Sequence, residues 1–178
     1  NTLERHVVAV KAALAPCRRF GVGLRLSAAA AETLSIPAEH AWLQRFLAEQ
    51  DLYVFTINGF PFGAFHGVRV KEQVYAPDWL EEARLTYSNR LATLLAALLP
   101  VESGLYGSVS TVPGAFHARA MSAPARAAIA DRLVRHVATL IELEASTGTC
   151  IRLALEPEPW CMLETMADTV AFFGEHLF

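Results

Sequence analysis

Cysteine is scarce in this sequence, and its spacing excludes two common ways of stabilising a small fold. The chain has 178 residues and three cysteines, Cys17, Cys150 and Cys161, with no Cys-x-x-Cys pair. An odd number of cysteines without that spacing argues against a disulfide framework and against a structural zinc site. We therefore expect the fold to depend on a hydrophobic core, which a hydrophobic content of 53% can supply.

Long hydrophobic runs and clustered positive charge are also missing. No apolar run approaches the roughly 18 residues of a membrane-spanning helix, and residues 1–20 do not resemble a signal peptide. We expect no membrane insertion and a cytoplasmic location. Two lysines, scattered arginines and a formal net charge of −3 provide no basic surface for a phosphate backbone, so nucleic acid is not an expected partner.

Several motifs for nucleotide binding and catalysis are absent as well. The strands predicted below are followed by neither G-x-G-x-x-G nor a P-loop, and the chain contains no G-x-S-x-G and no H-E-x-x-H. A phosphate cradle and a covalent hydrolase mechanism therefore lack support. Metal-assisted chemistry on a small molecule remains as a functional class.

What the sequence does contain is a regular alternation of strand and helix patterns. Four short β-type runs predict strands over Gly21–Leu26, Leu52–Ile57, Leu105–Ser110 and Ile151–Leu155. Apolar residues at helical spacing predict helices over Thr2–Leu14, Ile36–Gln50, Leu80–Leu99, Ala123–Ala145 and Asp168–Leu177. Strands joined by single helices must run parallel, with right-handed crossovers.

Two of these helices carry recognisable end signals. Asp78 and Glu81 resemble a capping box at the start of the Leu80–Leu99 helix. Ser122 is the expected N-cap of the Ala123–Ala145 helix, and Gly148 is expected to end it. The apolar stripe of this second helix consists of Ile129, Leu133, Val137, Leu140 and Ile141.

The element order predicts an α/β fold in a single domain over residues 1–178. We favour a (β/α)8 barrel, because a helix precedes the first strand and another follows the last. About four to five βα units are present, whereas a complete barrel takes about 250 residues, so we expect a partial barrel. The alternative is an open doubly wound sheet, whose usual glycine-rich loops are missing.

In a barrel the reacting groups lie at the carboxyl ends of the strands, and Glu156 stands at such an end. It follows the apolar run IRLAL and precedes Pro157, which cannot continue strand pairing. A carboxylate held there can bind a hard divalent cation such as Mg²⁺ or Mn²⁺, or take part in proton transfer. The alternative is a carboxylate that pairs with a neighbouring arginine or caps the next helix.

The connection Asn58–Pro77 is unusually long, with about twenty residues where about two to six are usual. Its aromatic content predicts a packed cover over the mouth of the barrel rather than disorder. Candidate substrate-binding residues in it are Asn58, Phe60, Phe62, Arg69 and Glu72. The alternative is a self-packed surface loop with solvated charges.

Two histidines occur in an echoed motif. Gly63–His66 and Gly114–His117 both read Gly-Ala-Phe-His, each a few residues past a predicted strand. A neutral imidazole at a barrel rim can bind a metal or a substrate hydroxyl. His66 and His117 are therefore candidates, with Lys71 as a further catalytic candidate that would orient substrate. A loop histidine without such a role is the alternative.

The runs FTINGFPFGAFHGVRVKEQVYAPDW (55–79), STVPGAFH (110–117) and LALEPEP (153–159) resemble the metabolite traffic protein EboE family, and the resemblance covers most of the chain. That family is similar to the xylose-isomerase-like TIM barrels, which include sugar isomerases, epimerases and endonuclease IV, and it is linked to moving a metabolite precursor toward the periplasm. The resemblance implies that Glu156 stands where a metal-binding Glu closes a mid-barrel strand.

Two functions follow as hypotheses. The first is an isomerase-type or epimerase-type enzyme that uses Mn²⁺, Mg²⁺ or Zn²⁺ held by Glu156, with Lys71 or His66 orienting a small-molecule metabolite. The second is a non-catalytic carrier or assembly protein that holds a metabolite in the same pocket.

Overall fold

The computed structural model describes residues 2–63, 74–100 and 104–178. Over these residues the elements are α1 (Val8–Leu14), β1 (Phe20–Arg25), α2 (Ala28–Leu34), α3 (Pro37–Glu49), β2 (Leu52–Asn58), α4 (Glu82–Leu98), β3 (Gly107–Thr111), α5 (Ala123–Thr147), β4 (Ile151–Leu155) and α6 (Met166–His176). A π-helical turn, Leu3–Val7, runs directly into α1, and a short 3₁₀ turn, His117–Arg119, precedes α5.

The four strands form one parallel sheet in the order β1-β2-β3-β4. This confirms the predicted strands and their parallel pairing. Every crossover steps to the next strand in the same direction, so right-handed connections place the helices on one face of the sheet. A doubly wound sheet needs a reversal of strand order, and the described sheet has none, which excludes that alternative.

The two faces of the sheet differ in character. Alternate side chains of a strand point to opposite faces, and one set is buried beneath the helices. This buried set includes Val22, Leu24, Val54, Ile57, Val109 and Ile151. The opposite, inner face is more exposed. It carries Tyr53, Phe55, Ser108 and Arg152, and in a closed barrel it is the face that lines the interior.

The helix-end predictions are confirmed in one case and wrong in another. The Ser122 hydroxyl accepts a hydrogen bond from the Ala125 amide at 3.3 Å, and Gly148 ends α5 with a φ of 71°, in the left-handed region that favours glycine. Helix α4, however, begins after Glu81, which makes no side-chain cap. Asp78 instead accepts a hydrogen bond from the Leu80 amide at 2.9 Å, and this bond shapes the turn that leads into the helix.

Two packing features differ from the sequence prediction. The connection between β1 and β2 holds a second, unpredicted helix, α2, which Ser27 caps through the Ala30 amide. On α5, Val137 and Ile141 are exposed, whereas His136 is buried. Together with β4 and α6, the exposed pair lines an apolar groove of about 620 Å³.

None of the helices in the described ranges is both long and apolar enough to cross a membrane.

Candidate functional site

A row of polar side chains crosses the inner face at the carboxyl end of the sheet. Arg25 of β1 is in register with Asn58 of β2, which is in register with Ser110 of β3. Ser110 is in register with Ala154 of β4, and Glu156 follows two residues later. By alternation, Glu156 shares the inner face with Ala154. The row thus offers a cation, an amide, a hydroxyl and a carboxylate at one edge.

The backbone of Glu156 is held by a hydrogen bond, whereas its carboxylate has no hydrogen-bond partner among the described residues. Its amide donates to the Thr111 carbonyl at 3.1 Å, which extends the β3–β4 pairing by one step. The residue is half-buried, and its carboxylate makes no hydrogen bond or ion pair with another described residue. Glu156 therefore lies at the strand end, as the sequence predicts, and within residues 2–63, 74–100 and 104–178 its carboxylate neither pairs with an arginine nor caps a helix.

The described residues do not complete a metal site around Glu156. A divalent cation in a protein takes about four or more ligands, most of them from side chains or water. Within residues 2–63, 74–100 and 104–178 there is no group of three or more His, Cys, Asp or Glu side chains that could hold an ion. Glu156 supplies one oxygen donor, and this donor set alone does not fit a metal centre.

One buried arginine holds the loop that follows β2. Arg84, in the first turn of α4, is fully buried and donates to the carbonyls of Pro77, Gly59 and Phe60 at 2.7, 2.7 and 3.2 Å. Burial lowers the pKa of Arg84 to about 10, so the guanidinium remains charged at neutral pH. A charge in this position is stabilised by backbone dipoles, and in return it fixes the path of the chain after β2.

The same helix fixes the ends of the neighbouring strands. The Tyr87 hydroxyl donates to the carbonyl of Leu26, just after β1, and lies 3.5 Å from the carbonyl of Pro61. Burial raises the pKa of Tyr87 to about 12, which keeps the phenol a donor. Just before α4, the Trp79 indole donates to the Thr111 hydroxyl at the end of β3, at 3.2 Å. Side chains on or beside α4 therefore hold the segments after three strands.

The predicted substrate-binding residues near β2 have structural contacts. Asn58 accepts a hydrogen bond from the Phe60 amide at 3.0 Å through its side-chain oxygen, which leaves the amide nitrogen available to a ligand. Phe60 is buried, with its ring 5.4 Å from that of Tyr75. Phe62 is partly buried, with its ring 5.0 Å from that of Tyr87. Both phenylalanines thus pack against the body of the protein.

Four candidates of the long connection, His66, Arg69, Lys71 and Glu72, lie outside the described residues, and their proposed roles stay predictions. His117, the second histidine of the echoed motif, is exposed at the start of the 3₁₀ turn after β3. Its amide donates to the Trp160 carbonyl at 2.8 Å, which joins the loop after β3 to the loop after β4.

The loop after β4 has a compact base. The Tyr75 hydroxyl donates to Glu158 at 3.3 Å, and its ring also packs against Phe116. Burial, with the neighbouring Cys161 and Glu158, raises the pKa of the Tyr75 phenol. Burial also raises the pKa of the Cys161 thiol to about 11, so this cysteine is protonated at neutral pH and serves as packing rather than as a nucleophile.

The sequence prediction missed the residues that position the site. Arg84 and Tyr87 occupy inward positions of an otherwise apolar helical stripe, where a charged or hydroxyl-bearing side chain needs a partner. That mismatch between residue type and position was the available signal. The partners are carbonyls of distant loops, which helical periodicity does not reveal.

Comparison with known proteins supports the fold. No protein-family model and no curated protein matches the chain. Among solved structures, the chain is similar to the crystal structure of the probable 3-DHS dehydratase AsbF involved in petrobactin synthesis from Bacillus anthracis, with 17% sequence identity and a TM-score of 0.50. The match covers 86% of this chain and 48% of that one, so the chain spans about half the length of its neighbour. The described residues thus have the α/β fold, with four parallel strands, of part of that neighbour.

Proposed function

We propose that this protein binds a hydroxylated small-molecule metabolite at the carboxyl edge of its sheet. The observation that carries the proposal is the inner-face row of Arg25, Asn58, Ser110 and Glu156, which meets at one edge because the strands are parallel. Mixed donors and acceptors of this kind suit a ligand whose hydroxyl groups both donate and accept hydrogen bonds.

Glu156 is the group best placed for chemistry. A half-buried carboxylate that has no hydrogen-bond or ion-pair partner among the described residues can accept a proton from a carbon beside a carbonyl and return it. Epimerisation beside a carbonyl and dehydration of a β-hydroxy ketone both begin with such a proton removal, and the structural neighbour is named as a probable dehydratase. We therefore place the proposed activity among isomerases, epimerases and related lyases, with Lys71 and His66 as predicted orienting residues.

The proton-transfer role can be tested by isotope exchange. Full-length protein is incubated in D₂O with a panel of aldoses, ketoses and ring-shaped hydroxy ketones, and deuterium incorporation at carbon is followed by NMR. We expect exchange that Glu156→Gln reduces by about 10²-fold or more, while Glu164→Gln, an exposed carboxylate of the same connection, leaves it unchanged. Equal exchange rates in the wild type and Glu156→Gln would remove Glu156 from the mechanism.

Glu156 also remains the predicted ligand of a divalent cation, and the other ligands of such a site would have to lie outside the described residues. Calorimetric titration of the metal-stripped full-length protein with Mn²⁺, Mg²⁺ and Zn²⁺ tests this role. We expect Glu156→Gln to lose the binding heat and Glu164→Gln to keep it. An isotherm that Glu156→Gln does not change contradicts the metal role while leaving the metabolite site intact.

The second candidate is a non-catalytic carrier that holds its metabolite in the same place. It needs no metal, which fits a described site in which Glu156 is not grouped with two further His, Cys, Asp or Glu side chains, and it agrees with the resemblance to the EboE family, whose members are linked to metabolite traffic. A carrier binds a metabolite without exchanging its carbon-bound protons. Elemental analysis of the purified protein adds a second criterion, since stoichiometric metal favours the enzyme.

A further inference from the structure

Two helices on the outer side of the sheet leave a groove between them. Each helix lines this α3–α4 groove with residues at three- and four-residue steps, from Pro37 to Gln44 on α3 and from Arg90 to Ala97 on α4. The side-chain amide of Gln44 donates to the Ala97 carbonyl at 3.0 Å and joins the two helices at the end of this stretch. The groove has a volume of about 590 Å³, which is in the range of small-molecule sites.

Two nitrogen-bearing side chains in the α3–α4 groove lack partners. Arg90 is partly buried, and its guanidinium makes no hydrogen bond or ion pair with another described residue. The Nε2 atom of His40 is buried, and it too has no hydrogen-bond partner among the described residues. Burying such groups without a partner is costly, and an ion that occupies the site is one way to satisfy them. The groove therefore has binding capacity that the described fold does not use.

The charge and the hydrogen-bond donors of the groove select the kind of ligand. None of the described residues that line it is acidic. The hydroxyls of Ser35 and Thr93 already donate to carbonyls one turn earlier, at 2.8 and 3.1 Å. Pro37, at the amino end of α3, also lines the groove, and Ile36 provides no side-chain cap for that end. The groove thus presents positive charge and unused donors, which favour an anion.

We propose that the α3–α4 groove binds the phosphate group of a small molecule, with Arg90 as the principal ligand and His40 as a second donor. An arginine fork can make two parallel hydrogen bonds to phosphate oxygens. A phosphate monoester has three terminal oxygens, so one remains for His40, which donates from Nε2 in the tautomer that carries its proton there. A carboxylate has only two oxygens and matches this pair of residues less well.

The phosphate site is separate from the proposed binding edge. The groove lies between helices on the outer face of the sheet, whereas the row that contains Asn58 and Glu156 lies on the inner face. A ligand in the groove would contact both α3 and α4 and so stabilise the native state, in which these helices are packed together. Its binding does not depend on the chemistry proposed for Glu156.

Histidine ring signals of the full-length protein can localise the ligand. Long-range ¹H–¹⁵N spectra separate these signals, and the substitutions His40→Gln and His117→Gln assign two of them. At constant pH and ionic strength, addition of sodium phosphate or glycerol 3-phosphate is expected to shift the His40 signal. His117 is the internal control, since it is exposed in the 3₁₀ turn after β3, at the carboxyl edge of the sheet.

Substitution of Arg90 provides the quantitative test, with affinities measured by calorimetry. We expect Arg90→Gln to weaken the binding of both phosphates about tenfold or more, because it removes charge-assisted hydrogen bonds. Arg90→Lys keeps the charge and loses the fork, so its affinity should lie between the two. Arg45→Gln is the matched control, since Arg45 is exposed on α3 and does not line the groove, and this variant should bind as the wild type does.

Melting temperatures separate loss of binding from loss of folding. In chloride alone, Arg90→Gln is expected to melt at the temperature of the wild type or above it, because a partly buried cation without a partner in the described chain is removed. Phosphate at the same ionic strength should raise the melting temperature of the wild type and of Arg45→Gln, and it should leave that of Arg90→Gln nearly unchanged.

Three results would overturn the phosphate site. Equal affinity in the wild type and Arg90→Gln excludes Arg90 as a ligand. A shift of the His117 signal in place of the His40 signal, or loss of phosphate binding in Glu156→Gln, places the anion at the carboxyl edge instead. Failure of both phosphates to bind the wild type removes the site altogether, and the isotope-exchange experiment on Glu156 then still decides the proposed function.

Discussion

Arg84 is the residue whose removal should disturb the site most without touching a ligand. It is buried and donates to carbonyls on both sides of the long connection, those of Gly59, Phe60 and Pro77. Arg84→Met keeps the length of the side chain and leaves these acceptors without a donor. We expect a loss of about 3–5 kcal/mol in the free energy of unfolding, measured by urea denaturation.

Arg45 is the matched control for this substitution. It lies on the exposed side of α3, and Arg45→Met is expected to change the free energy of unfolding by less than about 0.5 kcal/mol. A loss below about 1 kcal/mol for Arg84→Met would show that water replaces the lost donors, so that the loop path does not depend on the guanidinium.

His136 makes stability depend on pH. Its Nδ1 lies 2.5 Å from the side-chain oxygen of Asn89, its Nε2 has no partner among the described residues, and burial lowers its pKa to about 4. In the unfolded chain the pKa is about 6.5. Between these values the unfolded state binds a proton that the native state does not, so the free energy of unfolding falls as the pH falls through this window.

The contribution of His136 is isolated by comparing two variants. About 3 kcal/mol of stability should be lost between pH 7 and pH 4 through this residue, and His136→Gln should flatten the pH dependence by that amount. His6→Gln, at an exposed position of the π-helical turn before α1, is the control for the same substitution away from the core. Parallel pH profiles for the wild type and His136→Gln would contradict a buried, neutral imidazole.

At the scale of elements, α5 and β4 present an apolar groove to solvent. Val137 and Ile141 of α5 are 44% and 63% exposed, and they line the groove together with Leu153, Leu155 and Phe173. An environment-sensitive apolar dye such as anilinonaphthalene sulfonate should bind there. Ile141→Glu is expected to reduce dye fluorescence severalfold without changing the melting temperature, because the side chain contributes little to the core.

Val10 provides the comparison for the groove. It is 46% exposed on α1, at the other end of the described chain, so Val10→Glu introduces the same charge at similar exposure. Dye fluorescence in Val10→Glu should match that of the wild type. A similar decrease in both variants would indicate general electrostatic repulsion of the anionic dye rather than binding in the groove.

Elements also differ in how well the sequence predicts them. The strands and α5 were predictable because their apolar patterns and caps agree with their environment. Helix α2 was missed, since its alanine-rich stretch has little periodicity. The capping box at Asp78 was wrong because the Asp78 carboxylate accepts from the Leu80 amide in the turn before the helix, and the residue pattern does not distinguish that bond from a cap. The outward position of Val137 depends on which elements pack beside β4, and the local sequence pattern of α5 carries no information about them.

For the whole molecule, parallel pairing and sequential strand order follow from the alternation of strands and helices together with the handedness of crossovers. The place of Glu156 at the carboxyl edge was predictable for the same reason, since a strand end is a local property. The side chains that support that edge could not be predicted, because Arg84, Tyr87 and Trp79 act on segments about 25 to 61 residues away in sequence.

The way the β4 loop is held has an evolutionary consequence. The segments after β1 and β2 accept hydrogen bonds from Tyr87 and Arg84 through their main-chain carbonyls, so their own sequences can vary as long as these two α4 side chains are kept. The loop after β4 is joined to its neighbour through main-chain hydrogen bonds, which are indifferent to residue identity. Diversification of ligand preference should therefore concentrate in the loops at this edge, where substitutions can alter selectivity while the architecture is inherited unchanged.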